Sequence, residues 1–272
     1  MRKLESVEIK QILVSLLKEI KQVCEEHKIK YFLSGGTLLG AVLYKGFIPW
    51  DDDIDLLMPR EDYNKFIELQ KKGLLKHTFH CCELNKKYKY PFGKYCDDST
   101  VVKEKLAHAG KIGVYVDVFP LDGLSSSIDE ARYISMKQIR RYVKLYQVCL
   151  LKPSYAFLLC LTPLVFPLVP ILLSRRRILK KIQKIATKHS FYKSDYVGEV
   201  VNQPLAPERR LVMRKEVFSD TVNLPFTDDT YPAPIGFEEY LQKFYRPNYR
   251  DPYPEHLQKN HGFAAYKKND RK

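Results

Sequence analysis

Apolar and polar positions divide the chain into a leading helix, a strand–turn–helix–strand unit, several short strands, a second helical region and a less periodic last third. Ile9, Ile12, Leu13, Leu16, Leu17, Ile20, Val23 and Cys24 recur at helical spacing. They predict an amphipathic helix, capped by Ser6 and ending near His27. Tyr31–Leu33 then reads as a strand that breaks at Ser34-Gly35-Gly36-Thr37. Leu38, Leu39, Val42 and Leu43 predict a short helix, with Gly46 as its terminating residue. From Asp51 to Leu57 acidic and apolar residues alternate. On a strand this puts Asp53 and Asp55 on one face about 7 Å apart, with Ile54 and Leu56 on the other. Asp51 shares their parity at the strand entrance, and Asp52 points the other way. Positions 60–72 predict a second amphipathic helix closed by Gly73, and 78–84, 91–96 and 112–119 predict strands.

A helical pattern over 127–151 leads into Tyr155–Leu173, which carries no charge. Eight Lys or Arg and no acid follow between Ser174 and Lys193. The apolar run is long enough for one membrane span. Pro163, Pro167 and Pro170 oppose a regular spanning helix, and a span would separate the acidic motif from the C-terminal third. The pattern favours an interfacial or re-entrant segment, with the arginines on anionic headgroups. Positions 196–201 read as a strand, 218–234 as turns with a Pro-rich exit, 237–245 as a short helix, and the tail as partly irregular. The class is therefore α/β: a mixed sheet flanked by helices, with a helical, membrane-facing insertion and a C-terminal extension. The divisions are 1–125 for the catalytic core, 126–193 for the helical region and 194–272 for an extension that completes the catalytic domain.

Composition adds the partner. A 272-residue chain that is 45% hydrophobic supports a real core, and its net charge of +14 calls for an anionic partner. Because the basic run adjoins an apolar one, a lipid surface is preferred to nucleic acid. Six cysteines without CxxC spacing read as reduced thiols in the cytosol. The opening MRKLESVEIK lacks the apolar core of a signal peptide.

The candidate chemistry sits in 31–59. Four acids in five positions, Asp51–Asp55, repel one another unless a cation lies among them. Oxygen-only donors suit Mg²⁺ or Mn²⁺ rather than zinc. The Gly-Gly turn before a helix lets backbone N–H groups approach a phosphate. Asp117 stands in an otherwise apolar strand, where a buried carboxylate must be neutral, paired or metal-bound. It makes a third acid for Asp53 and Asp55. Lys94, on a strand candidate, either meets a phosphate or lies on the surface.

Ser34-Gly35-Gly36-Thr37-Leu38-Leu39-Gly40, Gly46-Phe47-Ile48-Pro49-Trp50-Asp51-Asp52-Asp53-Ile54-Asp55 and Val116-Asp117-Val118-Phe119-Pro120-Leu121-Asp122 together resemble the LicD family. These are phosphocholine transferases of bacterial cell-surface glycans, related to fukutin-type transferases within the nucleotidyltransferase-fold superfamily. The resemblance implies phosphoryl transfer from a CDP-linked donor such as CDP-choline to a hydroxyl of a lipid-linked glycan, with release of CMP. It implies Asp53, Asp55 and Asp117 as Mg²⁺ (or Mn²⁺) ligands and catalytic acids, and Ser34, Gly35, Gly36, Thr37 and Lys94 as the phosphate and nucleotide contacts. Asp117 would take the acceptor's proton, with Asp122 a second candidate. Trp50, Tyr115 or a C-terminal tyrosine would face choline. The implied location is the inner face of the cell membrane, bound peripherally. Nucleotidyl transfer and a non-catalytic membrane or nucleic-acid-binding role are the competing readings. Where many relatives carry Tyr-Gly-Asp-Tyr, this chain reads Tyr245-Arg246-Pro247-Asn248-Tyr249, which leaves the donor alcohol and the acceptor open.

Overall fold

The computed structural model describes residues 1–103, 112–150, 175–201, 206–252, 258 and 264–269. The chain divides into two compact units, Met1–Leu121 with Arg214–Lys272, and Asp122–Met213.

In the first unit, helix α1 (Ser6–Glu26) buries Ile9, Leu13, Leu16, Leu17, Ile20 and Cys24 on one face. Its cap is Glu5 rather than Ser6: the Glu5 N–H donates to Glu8 Oε2 at 2.9 Å, which satisfies a donor that the helix leaves open. A mixed sheet carries the site. β2 (Phe32–Leu33) runs antiparallel to β3 (Asp55–Pro59), β3 runs parallel to β7 (Tyr115–Ser125), and β7 runs antiparallel to β5 (Gly93–Cys96). β4 (Thr78–His80) closes that side, antiparallel to β5. Between β2 and β3 lies α2 (Gly35–Tyr44). Lys45, not Gly46, takes the left-handed position at its end, with φ 54°. Helix α3 (Arg60–Lys71) follows β3. A smaller antiparallel sheet pairs β1 (Arg2–Lys3) and β6 (Thr100–Lys103) with a strand of the tail, described below.

Register places polar residues in a row across the main sheet. Asp55 pairs with Asp117, Asp117 with Lys94, and Lys94 with His80. Residues paired in register point to the same sheet face. The row therefore runs Asp55, Asp117, Lys94, His80, and Ser34 closes it by donating its N–H to the Asp55 carbonyl at 3.1 Å. Lys94 is buried, and its Nζ lies 2.6 Å from Asp117 Oδ1. It also sits 3.4 Å from the centre of the Tyr115 ring, with Tyr90 and Phe92 nearby. Lys94 is thus neither a surface lysine nor a lining residue of the cleft described below; it is the counter-ion of Asp117.

In the second unit, α4 (Ile128–Arg132) continues through a π-helical stretch, Tyr133–Ile139, into α5 (Arg140–Leu150). Helix α6 (Arg175–Ala186) packs on α5. It buries Ile178, Leu179, Ile182 and Ala186 and exposes Arg175, Arg176, Arg177, Lys180, Lys181 and Lys184. β8 (Tyr196–Gly198) is antiparallel to the end of β7, and α7 (Glu208–Leu211) is held by Glu208 on Arg132 at 2.5 Å. Asp122 faces Gly198 in this pairing and is completely buried. Among the described residues no helix is long and apolar enough to cross a membrane. The run 155–173, read from sequence as a membrane-facing insertion, lies outside the described residues, so nothing in the fold supports that insertion.

The last third holds more order than its sequence suggests. β9 (Thr221–Phe226) and β10 (Asp229–Pro234) form a hairpin in the stretch read as turns. Pro225, Pro232 and Pro234 are tolerated because both strands of a two-stranded ribbon are edges. Lys18 and Lys21 of α1 hold the hairpin tip through Asp228 at 2.6 Å and Asp229 at 2.8 Å. Helix α8 (Phe237–Phe244) follows. β11 (Ala264–Lys267), in the tail read as irregular, pairs with β1 and β6.

Replacing Lys94 by Met leaves Asp117 without its cation inside the sheet. The expected loss is about 3–5 kcal/mol of unfolding free energy, and a second substitution, Asp117→Asn, should recover much of it. Chemical denaturation measures both. An unchanged midpoint in Lys94→Met would show that the pair does not hold the sheet.

Candidate active site

One cleft, about 600 Å³ in volume, opens in the first unit where α2 begins. Its floor is Gly35 and Gly36, and Asp51, Asp53 and Asp55 line it beside them. The Ser34–Thr37 segment is not a turn preceding a helix, as its glycines suggest. It is the N-cap and first turn of α2, with N–H groups unclaimed by the helix itself. Gly35 has φ +50°, and a Cβ there would stand 3.0 Å from Asp55 Oδ2. A Cβ on Gly36 would stand 2.5 Å from Asp51 Oδ2. The two glycines thus let the carboxylates lie directly on the backbone.

Hydroxyls fix this arrangement. The Asp55 N–H donates to Thr37 Oγ1 at 2.8 Å. Tyr240, buried on α8, sets its hydroxyl 2.8 Å from Ser34 Oγ and 3.3 Å from the Gly35 nitrogen. Ser34, Gly35 and Thr37 therefore brace the floor, whereas their sequence pattern suggested phosphate contacts only.

The acids are sorted by their place in the chain. The strand begins at Asp55, so Asp51–Asp53 form its irregular approach. Asp51, Asp53 and Asp55 line the cleft; Asp52 is not a lining residue, and its N–H donates to Asp51 Oδ1 at 3.2 Å. Asp117 is one strand away from Asp55, in register and bound to Lys94. Neither Asp117 nor Asp122 is among the residues that line the cleft. Among the described residues no three Asp, Glu, His or Cys side chains converge into a metal cage. The donors at hand, the cleft carboxylates of Asp51, Asp53 and Asp55 with Asp117 in register beside Asp55, match a hard divalent cation in type.

Aromatic rings form another wall: Tyr44, Trp50, Phe244, Tyr245 and Tyr249. Tyr115 is not among them; its ring lies under Lys94. Arg250 and Asp251 complete the rim. The Tyr249 hydroxyl donates to Glu238 Oε2 at 2.5 Å, and Arg250 binds the other carboxylate oxygen of Glu238. Tyr249 first, then Arg250, holds the Glu238 carboxyl below its ordinary range. Burial, reinforced by Glu238, pushes the Tyr249 phenol up to about 12.

Residues 28–146 match the profile described as LicD/FKTN/FKRP, nucleotidyltransferase domain. The chain contains a LicD-family domain. Along 96% of its length the chain is 28% identical to the lipopolysaccharide cholinephosphotransferase LicD of Haemophilus influenzae, and the match covers 97% of that protein. A shorter match joins it to an uncharacterized protein of Rickettsia typhi, 40% identical over 57 residues, which is 21% of this chain and 18% of that one. An uncharacterized protein of Rickettsia prowazekii is 44% identical over 50 residues, 18% of this chain and 19% of that one.

The LicD-family span includes the glycine floor, the acids, Lys94 and Asp117. Tyr240, Glu238, Tyr249 and Arg250 lie beyond it, and sequence reasoning passed over them as site residues except as one of several unspecified C-terminal tyrosines. The available signal was the density of Tyr and Arg in 240–250. Nothing in that stretch says which elements it meets.

The Thr37 hydroxyl is the acceptor of a strand-end N–H. Thr37→Val, equal in shape, should cost about 1–3 kcal/mol because that donor loses its partner, and Thr37→Ser should retain most of the stability. Denaturation midpoints test this. Equal losses in the two variants would indicate that packing rather than the hydrogen bond matters.

Proposed function

We propose that the protein is a transferase that moves phosphocholine, or a similar phospho-alcohol, from a CDP-linked donor to a hydroxyl of a cell-surface glycan precursor, releasing CMP. The observation that carries this reading is the cleft itself. It joins a backbone floor suited to phosphate, carboxylates suited to a divalent ion, and aromatic faces suited to a quaternary ammonium. Full-length similarity to a lipopolysaccharide cholinephosphotransferase supports the same chemistry.

A Mg²⁺ or Mn²⁺ ion held by Asp53 and Asp55, with Asp117 as the further ligand, would supply charge neutralisation for the diphosphate. The remaining work falls to the chain. Gly35 and Gly36 let the Asp55 and Asp51 carboxylates lie against the start of α2, and Tyr240 and Thr37 keep that start in place. Trp50, Tyr245 or Tyr249 faces the trimethylammonium group. The acceptor hydroxyl attacks the distal phosphorus, the bond from that phosphorus to the CMP oxygen breaks, and a carboxylate takes the hydroxyl proton. Asp117 is the base in this reading, positioned by Lys94.

The acceptor is lipid-linked, and the protein works on the inner face of the cell membrane. The exposed basic face of α6 supports contact with anionic headgroups.

Two experiments test the reading. Purified protein given CDP-choline, Mg²⁺ and a glycolipid extract should release CMP, and Asp55→Asn should lose at least about 100-fold in rate. Pyrophosphate release from CTP would instead identify a nucleotidyl transferase, and full activity in Asp55→Asn would remove the metal mechanism. Separately, changing Arg175, Arg176 and Arg177 to Glu should release the protein from acidic vesicles at low salt. Unchanged sedimentation of that variant would count against the lipid contact.

A further inference from the structure

We propose that Arg250 is the anion-binding residue of the cleft, the side chain that takes the phosphate oxygens facing away from the acids; the identity of its ligand as a donor diphosphate rests on the function proposed above. The charged side chains lining the cleft are Asp51, Asp53, Asp55, Asp251 and Arg250. A diphosphate entering among four carboxylates is repelled on every side that a bound cation does not cover. Arg250 is the lining cation that can meet the uncovered side. Lys94, which the sequence offered for this task, is buried on Asp117 and does not line the cleft.

The surroundings of Arg250 prepare it to bind. Arg246 donates from one guanidinium nitrogen to the Asp251 carbonyl at 2.9 Å and to the Pro252 carbonyl at 3.2 Å, which fixes the corner that presents Arg250. The Asp251 N–H closes the same corner on the Asn248 carbonyl at 3.1 Å. The Arg250 guanidinium lies over the Tyr249 ring, 5.2 Å from its centre, and one of its terminal nitrogens is anchored on Glu238. Tyr249 is itself anchored on Glu238 at 2.5 Å. A guanidinium has five N–H donors, more than its contacts with Glu238 and Tyr249 use, and those contacts set its plane. Little side-chain entropy then remains to be lost when an anion arrives. The side chain is about half exposed, so a ligand can reach it.

The protein carries its own reporter. Trp50 is the single tryptophan of the chain, and it lines this cleft. Its fluorescence is to be titrated in Mg²⁺ buffer with pyrophosphate, CDP and cytidine, in wild type, Arg250→Gln and Arg250→Lys. Wild type should bind pyrophosphate and CDP. Arg250→Gln should weaken both about 10- to 100-fold while leaving cytidine unchanged, and Arg250→Lys should fall between. Equal affinity for pyrophosphate in wild type and Arg250→Gln overturns the proposal, as does an equal loss for cytidine or a wild type that binds neither anion. Should Arg250→Gln fail to fold, Arg250→Lys decides alone: its anion affinity must drop and its cytidine affinity must not. Binding of pyrophosphate but not CDP, with the loss seen in Arg250→Gln, keeps Arg250 as the anion contact and rejects the CDP donor. Binding of CDP with no effect of either variant does the reverse.

Discussion

A carboxylate in the middle of a β-sheet needs a cation, and the architecture of the main sheet follows from how that need is met. Asp117 lies on β7 between β3 and β5, with Asp55 on one side and Lys94 on the other. Two acids in register on neighbouring strands repel each other, which favours a cation beside them. Lys94 supplies one, 2.6 Å away and enclosed by Tyr115, Tyr90 and Phe92. A buried pair of this kind is weak evidence for net stability, but losing one member is costly. The pair thereby ties the register of the sheet to the placement of the acids.

The cleft is completed by chain far away in sequence. Helix α8 contributes to two of its walls. Tyr240 reaches Ser34 and Gly35 at the floor, and Glu238 gathers Tyr249 and Arg250 at the rim. The LicD-family span ends at residue 146, so that span without 237–252 would lack the brace, much of the aromatic wall and Arg250.

Elements with a strong local signature were legible in the sequence. The apolar stripe of α1, the Arg60–Lys71 helix with Gly73 beyond it, and the strands carrying Asp55 and Asp117 follow from periodicity that tertiary structure did not need to override. Parity also separated Asp53 and Asp55 from Asp52, although Asp53 lies outside the strand. What sequence could not give was pairing. Lys94 looks like any lysine until β5 is laid against β7. The β9–β10 hairpin was hidden by its prolines, which disfavour interior strands but not edges. Glu5 displaced Ser6 as the cap of α1 because Glu8 stands three residues on and accepts its N–H.

In this account the cleft bounded by Gly35, Gly36, Asp53, Asp55 and Trp50 is where a metal-bound diphosphate sits, and the remaining inferences depend on it. The most direct measurement is a crystal structure with Mn²⁺ and a non-hydrolysable CDP-choline analogue, with the ion located by its anomalous signal. The account predicts the ion on the carboxylates of Asp53 and Asp55 and the diphosphate in the cleft beside the first turn of α2. An ion that touches neither carboxylate, or a nucleotide bound elsewhere, would contradict it.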